Sequence, residues 1–233
     1  RRYASVVATL VAFFIKLPKA KLVAVPVYSD MPYEYRRMTP EERAAVVEER
    51  RQCGYPLHSP PHPYREAGWY CITAANYEHA HVMTSPTRLT AFEDQLLSEL
   101  ADVEVEIGGW VILTNHYHFL VSVQSLEHIS AALQYLHGTT SRAWNLEDGL
   151  TGQRKVWFKF RDRYIRNERH YYQALNYLHY NAVKHGYVES PYNWPWSSVH
   201  LYSDIYGRQW LRERWVKYPI GDAWDYGDQG RND

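Results

Sequence analysis

From residue 69 onward the spacing of apolar positions changes several times along the chain, and each change marks an expected element. Trp69 to Tyr77 (WYCITAANY) is rich in β-branched and aromatic residues and predicts a strand. Ser85-Pro86 offers a capping hydroxyl followed by proline at the first helical position, so a helix is expected from there to about Ala101. VEVEIGGWVILTN then predicts a strand broken at Gly108-Gly109, and HYHFLVSVQ a further strand. Between Leu126 and Asn145, Ile129, Leu133 and Leu136 recur at helical spacing. VWFKFRDRYI alternates like a strand, with bases interleaved among aromatics. Asn167 caps a final helix that runs to Lys184 and is ended by Gly186.

The order strand, helix, strand, strand, helix, strand, helix is that of a split βαβ unit. It predicts an α+β, ferredoxin-like fold: an antiparallel sheet with helices packed on one face, plus one more helix. Upstream, Thr39-Pro40-Glu41-Glu42 carries a cap, a proline and a glutamate three residues after the cap, which opens a helix expected to reach about Arg51. YPLHSPPHPYREAG reads as an extended linker. RRYASVVATLVAFFIK pairs two arginines with an apolar run too short for the ~20 residues that span a bilayer. It resembles a signal peptide superficially but lacks a clear small-x-small cleavage site. The expected map is an N-terminal, helical extension at 1–30 outside the main fold, with Met31 or Met38 as start, then a helix and Pro-rich linker at 31–68. The main domain follows at 69–202. A C-terminal tail occupies 203–233, and its last stretch, GDAWDYGDQGRND, is acidic, glycine-rich and expected to be loosely ordered.

Composition narrows the class. With 45% hydrophobic and 22% charged residues the chain is globular rather than a disordered tail. Its 21 Tyr and 9 Trp suit cores and stacking surfaces equally. Cys53 and Cys71 form no CxxC pair, so a reducing compartment, the cytoplasm, is expected. Net charge is zero, but the charges are segregated. Between Ala91 and Glu106 there are six acids and no Lys or Arg, whereas between Thr151 and His170 there are seven bases against two acids. A neutral chain with this distribution still presents one basic surface.

Two patterns carry candidate chemistry. In TNHYHFLV, residues 114–121, His116 and His118 lie two apart on an expected strand, so both imidazoles face one side while Tyr117 faces the other. The pair suits one divalent cation, but it also suits an ordinary structural strand, and a third ligand has to come from elsewhere. In HYYQALNYLHYNAVKHG the apolar face is Tyr171, Ala174, Leu175, Leu178 and Ala182. At about 100° per residue, Tyr177, Asn181 and Lys184 form a separate row on its flank, half buried and able to reach a strand. Tyr180 points away from the core. Tyr177 is equally one of many packing tyrosines on this count.

These two stretches together resemble the REP-associated tyrosine transposases, within the HUH single-tyrosine transposases. NHYHFLV matches the His-hydrophobic-His signature. YLHYNAVKHGYVESPYNWPWSSVHLY, residues 177–202, is similar to the family's tyrosine helix and its Trp-Pro-Trp-Ser-Ser turn. The resemblance spans roughly residues 69–202. It implies that His116, His118 and Asn181 hold a divalent metal, Mg²⁺ or Mn²⁺, and that Tyr177 is the nucleophile. The implied activity is single-stranded DNA cleavage and strand transfer on hairpins through a 5′-phosphotyrosine, with a catalytically inactive DNA-binding protein of the same fold as the alternative. Ala182 and Thr114 stand where the family has prolines, positions that shape backbone rather than do chemistry.

DNA contacts are expected from Arg154, Lys155, Lys159, Arg161, Arg163 and Arg166, whose stretch interleaves charge with rings, and from Lys184. The same stretch also reads as a strand whose Trp157, Phe158 and Phe160 belong partly to the core. Arg142, Asn145 and His185 are weaker phosphate candidates. Expected partners are single-stranded or hairpin DNA, with no membrane and no nucleotide cofactor, since no GxxxxGK[ST] loop is present. A monomer or homodimer is expected.

Overall fold

The computed structural model describes residues 39–42, 44, 45, 48, 67–103 and 105–221. The chain divides into two compact units, residues 14–65 and the remainder. In the smaller unit Thr39 Oγ1 accepts a hydrogen bond from the Glu42 amide at 3.2 Å, and the Glu42 carboxylate accepts one from the Thr39 amide at 2.7 Å. That reciprocal box satisfies two amides at the start of a helix, as the sequence predicts. Residues 1–30, the Pro-rich linker, the end of that helix and residues 222–233 lie outside the described residues.

The larger unit runs β1 (Gly68–Ala75), α1 (Pro86–Asp102), β2 (Glu106–Ile112), β3 (His116–Val123), α2 (Leu126–Glu147), β4 (Arg161–Tyr164), α3 (Glu168–Lys184) and α4 (Val199–Lys217). The sheet order is β2-β3-β1-β4 with every pairing antiparallel, the ferredoxin-like arrangement expected. The helix starts are those the caps predict: Ser85 Oγ accepts from the Arg88 amide, and the Asn167 side chain accepts from the His170 amide.

β3 has period two, and its alternation separates two layers. Tyr117 packs its ring on Phe92 of α1 and hydrogen-bonds His137 of α2, so α1 and α2 share one face. His116 and His118 point to the opposite face, where α3 lies across β2 and β3. The two helices of the βαβ unit therefore share a face, and the additional helix covers the other.

Three details differ from expectation. β2 does not break at its glycines; it continues through a bulge between Ile107 and Gly109. A Cβ on Gly109 would lie 2.8 Å from Leu175 Cδ1, so the missing side chain is what lets α3 approach the strand. β4 covers only Arg161–Tyr164, because Trp157 turns inward, making an isolated bridge with Asn76. Its ring stacks on Phe92 and His137, and its Nε1 donates to Thr140 Oγ1 at 3.0 Å. Finally, residues 203–217, expected as the start of a C-terminal tail, form the greater part of α4. That helix lies on the outer side of α3, where Trp215 meets Tyr180 and Asn176 Nδ2 donates to the carbonyls of Arg214 and Tyr218. Gly207, at φ 82°, interrupts the helical backbone and with it the apolar period.

The Trp-Pro-Trp-Ser-Ser turn acquires a structural role. Ile112 donates to the Trp196 carbonyl, Trp194 Nε1 to the Ile112 carbonyl, and the Ser198 amide to the Trp110 carbonyl. Ser198 Oγ in turn accepts from the Trp110 amide. The segment thus satisfies the outer edge of β2, which would otherwise expose unpaired amides and carbonyls.

Candidate metal and nucleophile site

The two histidines and α3 meet on the site face of the sheet. His116 Nε2 lies 3.2 Å from Asn181 Oδ1, joining groups 65 residues apart in sequence. The His116 and His118 ring centroids are 5.0 Å apart, and the Tyr177 ring stands edge-on to His118 at 5.2 Å. His116, His118, Asn181 and Tyr177 are all buried, with Asn181 0% and Tyr177 3% exposed. The row expected to be half buried is thus fully buried at Tyr177 and Asn181, and only Lys184 is exposed, its Nζ 5.0 Å from the Tyr177 ring centroid. Tyr180 is directed away, toward Trp215.

Two residues that the sequence did not single out orient the imidazoles. Asn115 Nδ2 donates to the His79 carbonyl at 3.1 Å, which turns its Oδ1 to His116 Nδ1 at 2.7 Å. That oxygen accepts the imidazole proton at Nδ1, so a neutral His116 presents its Nε2 lone pair toward the Asn181 oxygen. A divalent cation would take both of these atoms as neighbouring ligands. Neighbouring donors on an octahedral cation with bonds of about 2.1 Å stand roughly 3 Å apart, so the spacing fits. His118 Nδ1 is held at 2.7 Å by Thr73 Oγ1, its cross-strand partner on β1. Partners of this kind fix ring orientation in metal-binding histidines. Asn181 Nδ2 is buried with no hydrogen-bond partner. Among the described residues no three His, Cys, Asp or Glu side chains cluster; the third group beside the two imidazoles is the Asn181 amide.

Thr114, at one of the proline positions, accepts or donates at 2.6 Å to the Tyr187 hydroxyl and at 2.5 Å to His81 Nδ1, tying the turn before β3 to the chain after α3. The bases expected to touch DNA divide by position. Arg161 pairs with Thr73 and Arg163 with Cys71, so both belong to the site face. Lys159 and Arg166 are exposed. Lys155 lies over the Tyr77 ring at 4.7 Å. Arg154 is engaged by Asp148 at 2.8 Å and by Asn145 Oδ1, and Asn145 is buried in that contact, so both serve the loop after α2. His185, which the sequence offers as a phosphate contact, also places its ring 4.9 Å from that of His116.

Comparison with known proteins agrees with the resemblance read from the two motifs. The chain is 23% identical over 134 residues to a REP-associated tyrosine transposase of Escherichia coli K12, covering 57% of this chain and 76% of that protein. It is 29% identical over 110 residues to a putative REP-associated tyrosine transposase of Haemophilus influenzae, covering 42% of this chain and 62% of the relative. Its fold matches a solved REP-associated tyrosine transposase bound to a REP hairpin, with TM-score 0.51 and 22% identity over 63% of this chain and 86% of the other. No family model matches the chain.

Proposed function

Starting from this kinship with the REP-associated tyrosine transposases, we propose that the protein cleaves and rejoins single-stranded DNA at hairpins, with Tyr177 as nucleophile. The observation that carries the reading is the convergence of His116, His118 and Asn181 beside the Tyr177 ring. Tyr177 Oη forms a bond to a phosphodiester phosphorus and the bond from phosphorus to the 3′ oxygen breaks. The phenolic proton passes to solvent and the departing oxygen takes one up as a free 3′-hydroxyl. A second 3′-hydroxyl reverses the step and restores Tyr177, so bond energy is kept in the 5′-phosphotyrosine and no nucleotide is consumed.

A phenol with a pKa near ~10 is a weak nucleophile at neutral pH. A Mg²⁺ or Mn²⁺ ion held by His116, His118 and Asn181 would polarise the phosphoryl oxygen and orient the leaving group. Asn115 and Thr73 hold the two imidazoles in place, and Arg161 and Arg163 put positive charge on the face where phosphate must lie. Because Tyr177 is 3% exposed, its neighbours have to part before a phosphodiester reaches it. That burial favours one second reading, a DNA-binding protein of the same fold that no longer cleaves.

The deciding experiment incubates the protein with a labelled DNA hairpin bearing a single-stranded flank, in Mn²⁺, and looks for a denaturation-resistant adduct. The wild type and Tyr180→Phe should form it, since Tyr180 packs on Trp215, and Tyr177→Phe should not. An adduct surviving in Tyr177→Phe would sink the assignment. Cleavage with no adduct would point to water as nucleophile, and binding without cleavage to the second reading.

A further inference from the structure

The turn after β1 joins the site to a pair of rings, Tyr77 half-buried and Phe158 exposed, that no catalytic role accounts for. Tyr77–His79 forms a single 3-10 turn in which Glu78 and His79 adopt φ values of 54° and 52°. Two consecutive left-handed residues other than glycine cost free energy, and such strain persists where surrounding contacts enforce it. Here the contacts are visible: the Asn76 amide donates to the Asn115 carbonyl, the Tyr77 amide to the Val156 carbonyl, and Asn115 Nδ2 to the His79 carbonyl. The turn therefore sets the side chain that orients His116, and it also holds the Tyr77 ring 4.7 Å from Phe158.

Phe158 is 38% exposed, one of the few large apolar side chains so open among the described residues. Its neighbour Trp157 is buried instead, so the chain places one ring of the pair in the core and the next in solvent. Around Phe158 stand Lys155, whose Nζ is 4.7 Å from the Tyr77 ring and 5.7 Å from the Phe158 ring, and His79, whose ring is 6.4 Å away. Lys159 is exposed on the same segment and Glu78 is the one acid in the turn. Flat rings with an ammonium beside them match a nucleobase and the phosphate one sugar away from it, because every base offers a π-face and every linkage a negative charge.

We propose that Tyr77, Phe158 and Lys155 form a stacking subsite for an unpaired base of single-stranded DNA next to the site that handles the scissile phosphate. The proposal rests on the DNA-processing reading for its ligand class, and adds the place where one base docks. Stacking on a side chain is sequence-tolerant, so the subsite fixes position along the strand rather than identity of the base.

The test uses the full chain and a mixed-sequence single-stranded oligonucleotide carrying 2-aminopurine, followed by fluorescence quenching and by affinity. Wild type should quench the probe. Phe158→Ala and Phe158→Leu should both weaken affinity by roughly tenfold and abolish quenching, whereas Phe158→Trp should retain both. Leu keeps an apolar side chain without a π-face, and thermal melting checks that every variant is folded. Unchanged affinity and quenching in folded Phe158→Leu would overturn the subsite. The two readings fail separately. An adduct formed by wild type with no Phe158 dependence overturns only the subsite, and Phe158-dependent quenching without any adduct upholds the subsite while removing the nuclease.

Discussion

Tyr117 and His118 are neighbours on β3, yet their side chains belong to regions built on opposite rules. On the Tyr117 face, polar atoms pair within the layer: the Tyr117 hydroxyl meets His137 Nε2 at 2.8 Å, Trp157 Nε1 donates to Thr140, and Trp110 Nε1 donates to Glu93. Burial lowers the His137 pKa to about 4 and pushes that of Tyr117 well up, so both stay neutral and their hydrogen bond joins two uncharged groups. On the His118 face the hydrogen bonds around the two imidazoles set ring orientation. They run from the His79 carbonyl through Asn115 to His116, and from Thr73 to His118, and they aim ring nitrogens at shared space. One face spends its polar groups on packing, and the other on orientation. A mutation should therefore move stability on one side and ligand affinity on the other.

Trp157→Ala should have the largest effect on the fold, because the indole contacts Phe92, Tyr117, His137 and Trp144 and carries a buried hydrogen bond. A loss of about 3–5 kcal/mol in denaturant unfolding is expected, with Mn²⁺ affinity of the remaining folded protein unchanged. Metal binding lost in step with stability would erase the division between the faces.

Thr73→Val is the reciprocal change, nearly isosteric and confined to the site face. It should lower Mn²⁺ affinity by roughly 10–100-fold, read by titration without DNA, and Thr73→Ser should recover it. A fall in melting temperature as large as that of Trp157→Ala, with affinity intact, would show that Thr73 only packs.

Asp148→Asn should have the smallest effect. Hydrogen bonds from Arg88 and Arg154 hold the Asp148 carboxyl at about 2, below the unfolded value near ~3.9. Its folded pKa is the lower, so its stabilisation is complete above the unfolded value and disappears as pH falls through about 2. The pair is partly solvated and salt-screened, so only a small drop in midpoint is expected at neutral pH. The gap from wild type should close between about pH 4 and pH 2 in acid-unfolding curves. A gap that persists at pH 2 would mean the substitution acts through packing.

Much of this was legible along the chain. Ser85, Asn167 and Thr39 announce their helices because a cap acts within three residues of itself. Period two placed Tyr117 opposite the histidines, and period 3.6 placed Tyr177 and Asn181 in one row, since both periods are properties of local backbone geometry. Element order carried the ferredoxin-like sheet. β4 starts later than its alternation predicts, because Trp157 satisfies the alternation of a strand while its bulk is drawn into a core supplied by α1 and α2. α4 was missed where Gly207 interrupts its period. Thr73 and Asn115 carried no local signal at all, as their meaning depends on which residue stands across the ladder. What the sequence determined by itself is everything set by interactions a few residues long: the elements, their order and the faces each presents. Only the tertiary structure decided which faces meet. The 3.2 Å approach of His116 to Asn181 depends on sheet register and on the close seat of α3 over Gly109, and neither is a property of any single segment.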